Sequence, residues 1–234
     1  MHTKISIKKI IKEELKKFIT EQRIDANDLN GTVSQDVNLY LFDFDDTLAY
    51  TDNVVKVTFV DPDTGDVGES IGMDSESFEK YRQKPPEERE KDIVNFDNFE
   101  NVLNPVEIKK VVDIVRKAKE DPANIVAIIT ARAGKKNSND ISEFLESKGL
   151  KNIPVHTVGD SGGKPSDKMK VVKKYIEDYF PKEIFFYDDS KRNLQAIISL
   201  CAGEYPNLTI NTFDVVQGEP KPDDECQSSD DFLL

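Results

Sequence analysis

The chain has 234 residues, of which 37% are hydrophobic and 33% are charged. That length and apolar content suffice for one α/β domain of ordinary size, or for two small ones, with a buried core. Asp and Glu outnumber Lys and Arg by 45 to 32, which gives a formal net charge of −13. A general affinity for nucleic acid or for an anionic membrane is disfavoured, because either polyanion would approach against the field of the whole chain.

The sequence also disfavours targeting signals and chemistry based on cysteine or histidine. No apolar run approaches the roughly 20 residues of a membrane span, and the lysine-rich start lacks the apolar core of a signal peptide, so we expect a cytoplasmic protein with no membrane partner. Cys201 and Cys226 lie too far apart to suggest a disulfide framework. His2 and His156 form neither a zinc-site spacing nor a Ser-His-Asp triad. Carboxylates must therefore carry the chemistry if the protein is an enzyme.

Residues 1–24 predict an amphipathic helix, and residues 25–37 predict a polar linker. The apolar positions recur at three- and four-residue spacing: Ile7, Ile10, Ile11, Leu15, Phe18 and Ile19. Three sites of docking stay open for this helix, namely its own domain, a protein partner or a membrane surface. The segment Phe18-Ile19-Thr20-Glu21 resembles the Ile/Leu-x-Glu sites cut by prohead proteases of large tailed phages. That resemblance implies a phage-encoded chain located in the host cytoplasm.

Residues 38–217 alternate short apolar runs with helical periods, which is typical of repeated β-α units. Five strands are predicted, at Leu39–Asp43, Ile125–Thr130, Ile153–Val158, Ile184–Tyr187 and Leu208–Phe213. Four helices are predicted between them, at Pro105–Lys119, at Asp140–Lys148 closed by Gly149, at Asp167–Tyr179 capped by Ser166, and at Asn193–Cys201. The short connections favour an α/β fold with a doubly wound, mostly parallel sheet.

An interruption over residues 49–104 separates the first predicted strand from the first of these helices. Val54–Val60 alternates like a strand, and Val67–Ile71 predicts the returning arm of a hairpin. Lys84–Asp92 is charged and contains prolines, so we expect an exposed loop there. Long irregular insertions in compact domains are usually functional or disordered, and we interpret this one as a small cap over a site. The acidic residues 218–234 predict a disordered tail.

Acidic residues follow two of the predicted strands. They are Asp43, Asp45 and Asp46 after the first strand, and Asp188 and Asp189 after the strand that begins at Ile184. Gathering such charges at one sheet edge costs several kcal/mol unless a cation binds there. Mg²⁺ is the expected ion, because it binds through few carboxylates together with substrate phosphate. Thr130 ends a strand between them and offers a hydroxyl group to a phosphate oxygen.

Over about residues 38–215, these motifs resemble those of the haloacid dehalogenase (HAD) superfamily of phosphohydrolases, in the same order along the chain. The shared motifs are the Asp-x-Asp-x-Thr signature at Asp43, Asp45 and Thr47, the strand-terminal Thr130, a helix-start lysine, and the pair Asp188-Asp189. The resemblance implies a HAD-like core with a small cap insertion. It also favours a phosphatase over a dehalogenase, because the second Asp of the signature is expected where phosphate esters are cleaved.

The resemblance implies a role for each carboxylate. Asp43 would attack phosphorus and become an aspartyl-phosphate, while Asp45 would protonate the leaving oxygen and then activate water. Mg²⁺ would bind Asp43, the backbone carbonyl of Asp45, and Asp188. Asp189 would bind the ion directly or through water. Charge cancellation by the ion would let a carboxylate approach a phosphate dianion.

The phosphate-contacting lysine has two candidates, Lys164 and Lys168, which both precede the strand that leads to Asp188. Lys168 is favoured because a helix start fixes its stem more firmly than a Gly-rich loop fixes that of Lys164. Asn193 follows Asp189 by four residues. It is interpreted either as a residue that orients the acidic pair or as an ordinary polar residue at a helix start.

The function that the motifs imply is a Mg²⁺-dependent phosphomonoesterase acting on a small phosphate ester such as a nucleotide or a sugar phosphate. The same motifs resemble the 3′-phosphatase domains of nucleic-acid end-repair enzymes, an alternative that the net charge disfavours. Basic and aromatic residues gathered at the site mouth within Asp52–Asp97 would favour that alternative. A third hypothesis is a non-enzymatic interaction protein that the N-terminal helix delivers to an assembly, and the intact motifs argue against it.

Overall fold

The computed structural model of the protein describes residues 37–161 and 163–223. The predicted N-terminal helix, the linker residues 25–36 and the tail residues 224–234 lie outside the described residues. Within the described ranges, no helix combines the length and the apolar character that a membrane span requires.

The described residues contain a six-stranded central sheet and two smaller sheets. The strands are β1 (Asn38–Phe42), β2 (Ala49–Tyr50), β3 (Val55–Val60), β4 (Val67–Met73), β5 (Ile93–Asn95), β6 (Val106–Glu107), β7 (Ile125–Thr130), β8 (Val155–Thr157), β9 (Glu183–Asp188), β10 (Thr209–Val216) and β11 (Glu219–Pro222). The central sheet has the order β11-β10-β9-β1-β7-β8, and only its β10–β11 pair is antiparallel. The prediction of an α/β fold with a mostly parallel sheet is confirmed.

Helices cover both faces of the central sheet. The α-helices are α1 (Ser75–Arg82), α2 (Lys109–Glu120), α3 (Gly134–Ser147), α4 (Pro165–Tyr179) and α5 (Lys191–Glu204), and short 3₁₀ helices occur at Pro86–Glu88, Asp97–Glu100 and Gly159–Ser161. Apolar residues of α2 and α3 pack on one face, and those of α4 and α5 pack on the other. Helices on both sides of a parallel sheet explain why its central strands are apolar almost throughout.

The two faces of the sheet follow from the alternation of side chains along each strand. Leu39 and Leu41 of β1 face α4 and α5, whereas Phe42 belongs to the cluster with α2 and α3. On that second face the ring of Phe42 stacks on Tyr187 at 4.7 Å, and Tyr187 stacks on Phe213 at 4.3 Å. These rings tie β1, β9 and β10 together directly beneath the strand ends that carry the acids.

The segment from β2 to β6 interrupts the α/β pattern and is called here the insertion (residues 49–107). Strands β3, β4 and β5 form an antiparallel sheet, which confirms the predicted hairpin, and β2 pairs with β6. Its core is small, with Val55, Val57 and Tyr81 as the fully buried members. Residues Lys84–Asp92 are largely exposed, as predicted, and include a turn of 3₁₀ helix.

Several helix boundaries differ from the prediction. The helix predicted from Pro105 begins at Lys109 instead, because residues 106 and 107 form β6 and pair with β2 at the start of the insertion. The helix predicted from Asp140 begins at Gly134 and ends before Gly149, whose positive φ of 79° suits a glycine at a helix end. The last predicted helix extends further in both directions as α5.

The first turn of α4 also differs, in a way that affects the site. Ser166 is not the cap, because the helix begins at Pro165 and Lys164 precedes it. The carboxylate of Asp167 accepts a hydrogen bond from the backbone N–H of Lys164 at 3.2 Å. Proline suits the first helical position because that residue needs no backbone donor. As a result, Lys168 lies one full turn inside a helix.

The predicted disordered tail is wrong in its first residues. Glu219–Pro222 form β11, which pairs antiparallel with β10. Gln217 and Gly218 both have positive φ, as the two central residues of a tight hairpin turn require. Lys110 of α2 also contacts the carboxylate of Glu219 at 2.6 Å. The acidic composition suggested disorder, but this local turn allows the chain to add one more strand to the sheet.

Candidate functional site

The acids at the ends of β1 and β9 meet at one edge of the central sheet. Asp43 follows β1 directly, Asp188 ends β9, and Asp189 is the next residue. The two strands are parallel neighbours, and the backbone N–H of Asp43 donates to the carbonyl of Tyr187 at 2.9 Å. One carboxylate oxygen from each of the three aspartates lies within 4.8 Å of the others. We call these three residues the aspartate cluster.

Lys168 supplies the positive charge of the aspartate cluster. Its side chain is 1% exposed, and its Nζ atom donates to Asp188 Oδ2 at 2.8 Å and lies 3.0 Å from Asp43 Oδ1. Lys164 is exposed. Burial alone lowers the pKa of Lys168, but the charges of Asp188 and Asp43 outweigh it and raise that pKa above its usual value. Lys168 therefore stays protonated and links the two strand ends.

One lysine does not balance three carboxylates, of which those of Asp43 and Asp188 are buried and that of Asp189 is half-buried. Burial raises the pKa of Asp43 to about 7, with further contributions from Asp188 and Asp45 and an opposing one from Lys168. Burial, followed by the charges of Asp188 and Asp43, also raises the pKa of Asp189 well above its usual value. Removing a carboxylate from water without a full set of partners is costly, so the cluster favours an added cation.

Asp188 is the most constrained member of the aspartate cluster. It is 0% exposed, and its Oδ1 atom accepts hydrogen bonds from Asn193 Nδ2 at 2.8 Å and from the backbone N–H of Ser190 at 2.9 Å. Lys168 binds its other oxygen. Asn193 therefore orients one acid of the predicted pair. Its own position is fixed because it lies in the first turn of α5.

Asp45 lies beside the aspartate cluster but is not one of its three members. Both of its carboxylate oxygens accept hydrogen bonds from Arg132, at 2.8 Å from Nε and 2.7 Å from Nη2. The side chain of Arg132 is 1% exposed and that of Asp45 is 15% exposed. A bidentate arginine fixes both the position and the plane of a carboxylate. Phe44, packed edge-on against Phe144 at 5.6 Å, anchors the backbone between Asp43 and Asp45.

Arg132 also joins the central sheet to the insertion. Its remaining donors bind Asn53 Oδ1 at 2.7 Å and the backbone carbonyl of Asn101 at 2.9 Å. The ring of Phe99 lies 4.8 Å from the guanidinium carbon. Asn53 is itself 2% exposed and donates to the carbonyl of Asn101 at 2.9 Å. One buried side chain thus contacts a candidate catalytic acid and two separate parts of the insertion.

The two threonines of the predicted motifs lie in different surroundings. Thr130 ends β7, is 1% exposed, and its hydroxyl oxygen accepts a hydrogen bond from the backbone N–H of Arg132 at 3.2 Å. It lines the cavity described below. Thr47 is fully buried, and its hydroxyl has no hydrogen-bond partner among the described residues. The structure thus brings Thr130 to the site and leaves Thr47 beneath it.

The loop after β7 is held in place by close backbone packing against the loop after β8. The N–H of Gly159 donates to the carbonyl of Arg132 at 2.9 Å. A Cβ atom at position 159 would lie 2.5 Å from the carbonyl oxygen of Ala131, so only glycine fits there. This contact fixes the backbone from which Arg132 reaches Asp45.

A cavity of about 650 Å³ opens over this edge of the sheet. Asp43, Asp45, Thr130, Lys168, Asp189 and Asn193 form its inner wall. Residues of the insertion form the facing wall, namely Val55, Ser75, Phe78, Arg82, Phe96, Phe99 and Glu100. Lys135, Lys136 and Arg192 also line the cavity. Cavities of this size are typical of small-molecule sites. The five predicted residues Asp43, Asp45, Thr130, Lys168 and Asp189 therefore line a single cavity, and Asp188 lies directly beneath it.

The donor set of the aspartate cluster fits a hard divalent cation. All three donors are carboxylates, and the described residues place one cationic group, Lys168, against Asp43 and Asp188. Carboxylate oxygens suit Mg²⁺ and other hard cations alike.

No protein-family model, curated protein or solved structure matches this chain. Functional inference therefore starts from the geometry of the cavity and its charged groups.

Sequence reasoning missed three contributors to the site: Arg132, Asn53 and the phenylalanines of the insertion. The only sequence signal for Arg132 was its position two residues after the strand-terminal Thr130, which does not distinguish a buried arginine from an exposed one. Asn53 and the phenylalanines lie in a segment without regular periodicity. Their approach to the cavity depends on tertiary contacts that no local pattern encodes.

Proposed function

We propose that the protein is a Mg²⁺-dependent phosphomonoesterase of the HAD type, which hydrolyses a small phosphate ester through an aspartyl-phosphate. One observation carries the proposal, namely that the predicted groups share one cavity. Asp43, Lys168 and Asp189 line the same wall, and Asp188 lies beneath them. Asp45 lies beside them and is hydrogen-bonded to Arg132. This gives a nucleophile, a cationic partner, a cation-binding cluster and a separate acid-base group in one place.

In the first step, a carboxylate oxygen of Asp43 attacks phosphorus and the bond from phosphorus to the leaving oxygen breaks. Asp45 gives its proton to that oxygen, so the alcohol leaves neutral. Lys168 and the hydroxyl of Thr130 donate to the phosphoryl oxygens, whose negative charge would otherwise repel the carboxylates. Lys168 suits this role because it already contacts Asp43.

In the second step, water attacks the phosphorus of the aspartyl-phosphate. Asp45 takes a proton from that water, the bond between Asp43 and phosphorus breaks, and inorganic phosphate leaves. Both oxygens of Asp45 bind Arg132 in the resting state. Its role as a base is compatible with that pairing, whereas carrying a proton requires exchange of one hydrogen bond. Arg132 therefore sets the position from which Asp45 serves both steps.

The residues that would hold the ion are Asp43, Asp188 and Asp189, together with the backbone carbonyl of Asp45. Bound there, Mg²⁺ would offset the negative charge shared by the phosphate and the carboxylates. Lys168 and Asn193 keep Asp188 oriented for this task through its two oxygens. The insertion would act as the cap of the site, because its residues form the cavity wall opposite the aspartate cluster.

The proposal predicts that Asp43→Asn lowers turnover of p-nitrophenyl phosphate with Mg²⁺ by about 10⁴-fold or more, as loss of a covalent nucleophile does. Glu100→Gln is the matched control, because Glu100 is an exposed carboxylate of the same cavity that lies outside the aspartate cluster. The melting temperature should not fall in Asp43→Asn, since one of several repelling charges is removed. Near wild-type turnover in Asp43→Asn would exclude it as nucleophile.

A second substrate separates the roles of the two acids. Nitrophenolate leaves without protonation, whereas an alkyl phosphate needs a general acid. Asp45→Asn should therefore lose about 10² to 10⁴-fold on an alkyl phosphate and clearly less on p-nitrophenyl phosphate. Equal losses on both esters would argue that Asp45 only shapes the site.

A further inference from the structure

We infer that the leaving group of the substrate is a nucleoside, so that the cavity takes a nucleoside monophosphate and not a sugar phosphate. This inference rests on the proposed function for its chemistry and adds the substrate class. It depends on two features of the cavity: an aromatic wall and a cationic rim.

The aromatic wall comes from the insertion and consists of Phe78, Phe96 and Phe99. Their rings form a connected group, with centroids 5.5 Å apart for Phe78–Phe96 and 6.4 Å apart for Phe96–Phe99. Phe78 and Phe99 also pack on the small core of the insertion, so their presence has a structural explanation. Phe96 is 52% exposed and is not part of that core. Its ring is an apolar surface presented to whatever occupies the cavity.

A nucleobase suits this wall better than a sugar does. Flat aromatic ligands stack on phenylalanine rings, and stacking tolerates any base because every base has an aromatic face. A free sugar would instead need hydrogen-bonding groups for each of its hydroxyls. The wall facing the aspartate cluster combines the three phenyl rings and Val55 with the polar side chains of Ser75, Arg82 and Glu100. The phenyl rings offer no hydrogen-bond partner to the hydroxyls of a sugar, whereas a base stacked on Phe96 leaves Ser75, Arg82 and Glu100 to bind its polar edge or the ribose.

The charges around the cavity favour a single nucleotide over the end of a nucleic acid strand. Lys135 and Lys136, in the first turn of α3, and Arg192, in the first turn of α5, line the cavity and complement a phosphate group. Beyond this rim, the stretch Asp52–Asp97 carries more acids than bases, and Arg82 is its only basic residue that lines the cavity. The aromatic residues sought at the site mouth are present, whereas a basic track for further phosphates is not seen in the described residues.

The test compares adenosine 5′- and 3′-monophosphates with ribose 5-phosphate, using the full chain and Mg²⁺. Adenosine 5′-monophosphate and ribose 5-phosphate differ by the base, so their ratio of kcat/KM measures what the base contributes. At least one nucleotide should be favoured by about 10-fold or more. Phe96→Ala should lower kcat/KM on that nucleotide about 10-fold and leave ribose 5-phosphate unchanged. Phe180→Ala, an exposed phenylalanine outside the cavity, is the control and should change neither.

A binding measurement separates failure of this inference from failure of the proposed function. Calorimetric titration of Asp43→Asn with adenosine monophosphate requires no turnover, and Phe96→Ala in that background should weaken binding about 10-fold. If wild type hydrolyses no ester but this binding pattern holds, the proposed function is wrong and the nucleotide site stands. If ribose 5-phosphate is hydrolysed as well as both nucleotides, the function stands and the inference is overturned. Preference for a 3′-phosphorylated oligonucleotide over both mononucleotides would also overturn it.

Discussion

The edge of the central sheet and the insertion differ in how deeply their side chains are buried and how firmly they are packed. At the edge, Asp188 and Lys168 are almost fully buried, and Lys168 on a helix pairs with Asp43 and Asp188 at the ends of two strands. The insertion has only a small core, and β4 is exposed along almost its whole length. Segments with few buried apolar contacts open more easily than packed cores. In the proposed function, the reacting groups therefore lie on the densely packed part, and the wall proposed to select the ligand lies on the part that opens more easily.

The largest effect that tests this division is expected for Arg132→Met. The change leaves Asp45 without its bidentate partner and removes the donors to Asn53 and Asn101. Removing one partner of a buried pair costs about 3 to 5 kcal/mol of unfolding free energy. We also expect faster amide hydrogen exchange in residues 93–101, because these lose their link to the sheet. Denaturant titration and hydrogen exchange measure the two effects.

Arg132→Lys is the control for charge. It keeps the cation but cannot bind both oxygens of Asp45 in one plane. We expect it to recover part of the stability and little of the turnover on an alkyl phosphate. If the amides of the insertion keep their full protection from hydrogen exchange in Arg132→Met, then contacts other than those of Arg132 join the insertion to the sheet.

Added Mg²⁺ probes the edge alone. Binding to the folded state only should stabilise the protein by about 2.7 kcal/mol at an ion concentration 100 times the Kd, or about 5 to 10 °C in Tm. Asp188→Ala should remove most of that rise, and Glu100→Gln should keep it. Thermal melts over a range of ion concentrations measure the shift. If Asp188→Ala keeps the full rise in Tm and Asp189→Ala loses it, then Asp189 and not Asp188 is the main ligand of the ion.

The sheet edge could be predicted from the sequence because its information is local. Asp43 and Asp188 each follow an apolar run, and the ends of adjacent parallel strands must lie together. All five strands predicted for the central sheet occur; β7 has the predicted ends and the other four have shifted ends. The choice between Lys164 and Lys168 was harder, since it depends on where α4 begins. Pro165 decides that point by occupying the first helical position.

The insertion and its contacts could be predicted only in part, because they depend on distant residues. The hairpin of β3 and β4 follows from alternation and a turn, and it was found. Arg132 pairs with Asp45 across 87 positions of sequence and with Asn53 across 79. No periodicity signals such a pair. The strand β11 was not predicted although its signal is local. The hairpin turn at Gln217-Gly218 precedes it, but the acidic composition of the segment indicated disorder instead.

A smaller effect on stability is expected from a change of pH. The group responsible lies at the central sheet and not in the insertion. His156 of β8 shares a hydrogen bond with the hydroxyl of Tyr175 on α4 at 2.8 Å. Burial, followed by the charge of Lys174, holds the pKa of His156 below its ordinary value of 6.5. The unfolded chain therefore takes up this proton at a higher pH than the folded protein does. The stability that neutral His156 contributes is present above about pH 6.5 and is lost as the pH falls.

The measurement is the denaturation midpoint between about pH 7.5 and about pH 5.5, compared for wild type and His156→Gln. We expect the midpoint of wild type to decrease towards acid pH and the variant to show a flatter slope. An unchanged slope in the variant would assign the acid sensitivity to other groups, with the buried aspartates as the first to examine.

The smallest effect on the free energy of unfolding is expected from two matched conservative substitutions, one in each region. Ile129 in β7 is fully buried between the sheet and α4, whereas Ile71 in β4 is 42% exposed. Ile129→Val should cost about 0.5 to 1.5 kcal/mol, because it removes a methylene from a packed core. Ile71→Val should stay within about 0.5 kcal/mol of wild type, since a surface side chain has few contacts to lose. Denaturant titration of both variants under one set of conditions measures the difference. If Ile71→Val costs as much as Ile129→Val, the outer face of β4 is covered in solution, and the insertion is more firmly held than its own core implies.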